Sequence, residues 1–140
     1  MLARDLAEPY PYVTTDEDAA HAVRLLARHR LPALLVVDAD AMPYALVPCG
    51  HLLGRLVSDG REHGVVPTRV DGLTVADWLP PAASGPPTVE ESASLTQIAD
   101  VMTRTHSPLV AVVERDGHQL WLAGVVTAAR LMERLVGGEA

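Results

Sequence analysis

Cys49 and His51 stand two residues apart, and a thiol beside an imidazole is the raw material of nucleophilic catalysis or a metal site. On a helix, side chains two apart point in different directions, so this pair does not converge. The single cysteine and the histidines at 21, 29, 51, 63, 106 and 118 fit no metal-ligand spacing. Cys49 falls near an expected helix start, where a thiolate could be stabilised. A free cysteine is more often a small buried hydrophobe, and that is the reading taken for it. His51 can accept one hydrogen bond as neutral imidazole and is a candidate pH sensor. Its plain alternative is a helix residue at the rim of an empty cleft.

Thr127 and Arg130 form a second constellation. Guanidinium grips phosphate or carboxylate in a bidentate manner, and a helix start adds free backbone N–H groups. The plain alternative is a solvated arginine on a first helical turn. Arg28, His29 and Arg30 suit the end of a helix, with a phosphate-facing role as the alternative. Asp16, Glu17 and Asp18 suit a helix start, and no paired-carboxylate catalysis is read there. Trp78 and Trp121 read as packing anchors rather than stacking partners for a base. No nucleophile, base and orienting group converge, so the chain is not expected to be an enzyme.

The elements that position these residues come twice. Residues 11–38 match 87–114 at a shift of 76, with Pro11 on Pro87, Val13 on Val89 and Pro32 on Pro108. Ala19, Ala22, Val23 and Leu26 make an apolar stripe at helical spacing, as do Leu95, Ile98, Ala99 and Met102. Thr14 and Glu17 suggest a capping box for the first helix, and Ser92 or Ser94 can cap the second. Each helix stops ahead of a proline, which disfavours helix in the residue before it. Aliphatic runs follow at 33–37 and 109–113 and suggest strands buried on both faces. A turn, another strand and a second helix, near 49–58 and 127–136, complete each half. Short apolar segments precede both halves, Leu2 to Ala7 and Leu73 to Leu79, with four extra residues after the second. Residues 58–72 carry loop signals, and the Pro-rich stretch 80–87 reads as an extended loop.

The chain has 140 residues, a net charge of −7 and no lysine. An acidic chain argues against nucleic-acid binding. One cysteine excludes an internal disulfide and suits a reducing compartment. The N-terminus lacks the apolar core of a signal peptide, and no apolar run spans a membrane, so a cytoplasmic location is expected.

The duplicated order strand–helix–strand–strand–helix resembles a tandem pair of CBS (cystathionine β-synthase) domains, a Bateman module. The resemblance rests on Val13-Thr14-x-Asp16 before a helix, the strand from Leu31 to Asp38, and Gly124-Val125-Val126-Thr127 entering the last helix. It implies an α+β fold of two βαββα repeats about a pseudo-twofold axis, with residues 1–58 as the first repeat, 59–72 as linker and 73–140 as the second. It also implies two clefts that take adenine nucleotides (AMP, ADP or ATP) or related ligands, with no cofactor required. Lining positions implied by it are Thr14, Leu34, His51, Val89, Leu109, Thr127 and Arg130. The family's ribose-binding aspartate is replaced by His51 in one repeat and Arg130 in the other. The family pairs through its helices, so a homodimer is expected, with Leu52, Leu56, Leu131 and Leu135 on its face. The expectation is a regulatory sensor acting on a separate, unidentified partner protein. The alternative is a ligand-free interaction module with degenerate clefts.

Overall fold

The elements run α1 (Ala3–Leu6), β1 (Tyr12–Thr14), α2 (Ala19–His29), β2 (Ala33–Val37), β3 (Pro43–Pro48), α3 (Cys49–Leu56), β4 (Val57–Gly60), β5 (Gly64–Pro67), α4 (Val75–Trp78), β6 (Thr88–Glu90), α5 (Leu95–Thr105), β7 (Leu109–Asp116), β8 (Gln119–Thr127) and α6 (Ala128–Val136). They come from a computed structural model that describes residues 1–60, 64–67, 70, 72–80 and 85–137. The fold is α+β, with two three-stranded sheets ordered β1-β2-β3 and β6-β7-β8. In each sheet the first pair is parallel and the second antiparallel. The central strands are the aliphatic runs: all five residues of β2 are buried, as are Leu109–Val113 of β7.

Strand register makes the duplication concrete. Ala33 lies opposite Pro48, and Leu109 lies opposite Thr127. Cys49 N–H donates to the Pro32 carbonyl at 3.0 Å, and Ala128 N–H donates to the Pro108 carbonyl at 2.9 Å. His51 and Arg130 therefore occupy equivalent third positions of α3 and α6.

Both long helices end in a left-handed residue, Arg30 (φ 52°) and His106 (φ 54°), ahead of the prolines. Ser94 caps α5 in a full box with Gln97. The Thr14–Glu17 pair does not cap α2, contrary to the sequence expectation. Thr14 N–H and Oγ1 both donate to Glu17 Oε2, at 2.7 and 3.1 Å, but α2 begins later, behind Asp18. The pair closes the turn out of β1 instead. The linker also differs from a plain loop. Val57–Gly60 and Gly64–Pro67 pair as an antiparallel hairpin, with residues 61–63, 68, 69 and 71 outside the described residues. Four-residue strands that meet the turn in glycine, Gly60 and Gly64, are too short to show a period in sequence.

The short helices are exchanged between halves. The first core joins Val13, Leu34, Val36, Val47 and Leu52 with Val75, Trp78 and Leu79, which precede the second half. The second core joins Val89, Ile98, Val110, Val126 and Leu131 with Ala3 and Leu6 from the N-terminus. Backbone bonds repeat the exchange. Ala3 and Arg4 N–H donate to the Ala93 and Glu91 carbonyls, and Val75 and Ala76 N–H donate to those of Glu17 and Thr15. A third cluster, Leu35, Leu109 and Val125 with Tyr10, Leu46 and Leu122, draws on both sheets. Tyr10 Oη donates to the Ala33 carbonyl at 2.8 Å, and burial pushes its pKa up to about 12.

Two predictions follow from this packing. Leu6→Ala should cost about 2–5 kcal/mol. Because Leu6 serves the second core and Trp78 the first, urea unfolding followed by Trp78 fluorescence in a Trp121→Phe background should shift by the full amount. An unchanged Trp78 transition would mean that the halves unfold separately. Tyr10 holds its proton more tightly when folded than when unfolded, where its pKa is about 10. Its contribution is complete below about pH 10 and is lost as pH rises toward 12. Tyr10→Phe should therefore flatten the alkaline fall in stability measured by urea titration.

Candidate functional site

A cleft of about 490 Å³ opens between the halves. One wall is the end of β3 and the start of α3: Leu46, Val47, Pro48 and His51. Pro80, Gly85 and Pro87, ahead of β6, form a second, and Thr105, the last residue of α5, with His106 and Ser107 after it, forms a third. Residues 81–84 of the Pro-rich stretch lie outside the described residues. The left-handed turn at His106 brings this corner round. Ser107 Oγ fixes it by donating to the Leu109 carbonyl at 2.6 Å. Thr105 Oγ1 donates back to the Val101 carbonyl at 2.7 Å, which leaves it acceptor capacity.

Chemically this is an imidazole-and-hydroxyl site. Among the described residues its lining holds two histidines and no carboxylate. Neutral imidazole offers one donor and one acceptor, and imidazolium two donors. Such a lining can bond an anion through its ring N–H groups, and it can accept from a hydroxyl through one nitrogen of each neutral ring and through Thr105 Oγ1. No side chain caps α3, because Pro48 occupies its N-cap. Sequence reasoning placed His51 here but missed His106, Thr105 and Ser107, because that corner comes from the opposite repeat. The available signal was the helix-end-plus-proline pattern of residues 105–108.

The equivalent position on the other side is built differently. Thr127 Oγ1 accepts from Arg130 N–H at 3.2 Å and caps α6. The Arg130 guanidinium turns to the N-terminal segment: Nε donates to the Leu6 carbonyl at 3.0 Å and lies 3.4 Å from Glu8 Oε1. Arg130 and Thr127 are thus together, and both are already bonded.

The remaining expected lining residues are dispersed. Thr14 Oγ1 donates to Asp16 and Glu17 in the turn after β1. Leu34 is fully buried in the first core, and Leu109 is fully buried between the sheets. Val89 is nearly buried at the base of a broad groove along α5. That groove is a solvated face. Its Arg104 pairs with Asp100 at 2.9 Å, and its Glu90 pairs with Arg115 at 3.0 Å, all four more than half exposed.

Cys49 offers no activated nucleophile. Its Sγ donates to the Leu31 carbonyl at 3.0 Å, and burial pushes the thiol pKa up. Among the described residues no group of three or more histidine, cysteine, aspartate or glutamate side chains could hold a metal ion. His63 lies outside the described residues. Trp78 is buried in the first core, and Trp121 donates from Nε1 to Glu114 at 3.2 Å.

The second helices divide their leucines. Leu52 and Leu131 are buried in their own cores, and Leu56 packs against the first. Leu135 is 54% exposed, with Leu53 and Met132 exposed to a similar degree on α3 and α6. No described helix is long and apolar enough to cross a membrane.

Comparison with known proteins agrees with this architecture. The CBS-domain family pattern matches residues 3–58 and 79–137. No curated protein matches the chain by sequence. A crystal structure of a CBS domain-containing protein of unknown function from Kribbella flavida is 31% identical, with a TM-score of 0.82, over 99% of this chain and 100% of that one. CBSX2 in complex with AMP is 21% identical, with a TM-score of 0.72, over 99% and 98% of the two chains. The CBS domain of a bacterial CNNM/CorC family Mg2+ transporter in complex with ATP is 19% identical, also at 0.72, over 98% and 88%. With two family matches that each span one βαββα half, the chain belongs to the CBS-domain family and carries its repeat twice.

Proposed function

We propose that the protein is a regulatory module that senses an adenine nucleotide or another phosphate-bearing metabolite in the cleft around His51. It then acts on a separate partner protein. The observation that carries this reading is the cleft itself, about 490 Å³ walled by both repeats, with His51 at the position where the family places its ribose acceptor. Imidazole N–H groups suit phosphate oxygens, and the hydroxyl oxygen of Thr105 keeps acceptor capacity for a ligand hydroxyl. The AMP and ATP complexes of CBSX2 and the CNNM/CorC transporter support a nucleotide as the ligand class. The site has no catalytic work to do in this reading: a ligand shifts the module between arrangements by its differential affinity for them.

Thermal denaturation with AMP, ADP, ATP, NAD, S-adenosylmethionine and inorganic phosphate tests this. A ligand at a hundred times its dissociation constant adds about 2.7 kcal/mol to the native state. One nucleotide should raise the melting temperature clearly, and His51→Ala should weaken it about tenfold, the value of one good hydrogen bond. No shift with any of them would favour the ligand-free interaction module.

The same proposal includes a cytoplasmic homodimer joined through the exposed apolar residues of α3 and α6, with Leu135 central. Leu135→Glu should convert the dimer to monomer in sedimentation velocity, since it puts a charge into an apolar contact. A variant with an unchanged sedimentation coefficient would place the interface elsewhere.

A further inference from the structure

The family resemblance implies two equivalent clefts, but the margins at His51 and at Arg130 differ, and three paired positions separate them. Strand register sets Gly124 of β8 against Ala45 of β3, each opposite the matching valine of its central strand. It also sets Val125 against Leu46 and Arg130 against His51. The chain entering the second cleft runs five residues, 7–11, from α1 to β1, whereas the corresponding connection at the first cleft runs nine, 79–87.

The short connection lies directly on β8. Glu8 N–H donates to the Val125 carbonyl and Val125 N–H donates to the Glu8 carbonyl, both at 2.9 Å. Gly124 permits this approach: a Cβ there would stand 2.9 Å from the Glu8 carbonyl oxygen and 3.2 Å from Ala7 Cβ. Arg130 completes the contact, bonded to the Leu6 carbonyl and paired with the Glu8 carboxylate. The first cleft lacks all three devices. Ala45 carries the Cβ that Gly124 omits. Pro80, the counterpart of Glu8, has no N–H to donate. His51 cannot reproduce the forked guanidinium.

We propose that Ala7 and Glu8, just past the buried anchor Leu6, are a built-in occupant of the second cleft, with the Glu8 carboxylate standing where an anionic ligand would meet Arg130. The chain therefore takes one ligand, in the cleft around His51, and keeps a latent second anion site under its own strap. This rests on the sensor reading for the first cleft but not for the second. The strap is displaceable: Arg130 is 26% exposed and Glu8 49%, so water competes for their pairing.

Calorimetric titration with ATP tests it, in the intact protein and in two variants. Glu8→Pro removes the carboxylate and the bridging N–H together, and Ala7 already has the extended backbone that a following proline favours. Gly124→Ala drives a methyl into the Glu8 carbonyl, and it keeps the test alive if the first variant does not fold. The parent should bind no more than one ATP per chain. Each folded variant should bind one more than the parent, and adding Arg130→Ala should remove the extra site. A parent with two sites, or folded variants with no added site, would overturn the proposal. A parent with none and variants with one would support the strap while sinking the sensor reading. A parent with one and variants with one would do the reverse.

Discussion

Everything in this molecule depends on the exchange of two one-turn helices. Ala3 and Leu6 complete the second core, while Val75 and Trp78 complete the first. A four-residue helix has no stability of its own, because nucleation fixes several residues for one hydrogen bond. Each is held by the apolar surface it buries and by two backbone bonds to the other half. Neither half closes its core alone. The sheets then meet through Leu35, Leu109 and Val125, and the cleft around His51 opens between the two halves. The geometry of any ligand site is thus fixed by whether both exchanged helices are seated.

That dependence explains which features the sequence carried openly. Central strands buried on both faces leave uninterrupted aliphatic runs, and amphipathic helices leave a stripe, so β2, β7, α2 and α5 stand out. Their duplication gives the family. Relations between halves leave no period. Nothing in the one-dimensional pattern says that Leu6 belongs with Ile98 or Trp78 with Leu34. The Thr14–Glu17 pair shows the same limit at short range. Its residue types fit a capping box, but the backbone spends four more residues in a turn before α2 begins.

The candidate site divides in the same way. His51 could be found by counting from the last strand of its own repeat. Its facing residues, Thr105 to Ser107, come from the end of a helix in the other repeat, and only the packed structure sets them opposite. Arg130 carried the reverse difficulty. Its chemistry suggested a free anion-binding group, yet a guanidinium with five donors readily finds acceptors in its own chain. The Leu6 carbonyl and Glu8 carboxylate are 124 and 122 positions away in sequence, beyond any motif.

The asymmetry bears on how a ligand could act. Under the proposed function, a ligand in the first cleft would touch β3 and α3 of one half and the end of α5 of the other, so its affinity would depend on how the halves meet. At the opposite margin the Glu8–Val125 backbone bridge fastens the connection that leads into β1 onto β8. A ligand would move the module between arrangements only by the difference between its affinities for them. His51 and His106 come from different halves, so their contacts with such a ligand would depend on how the halves meet.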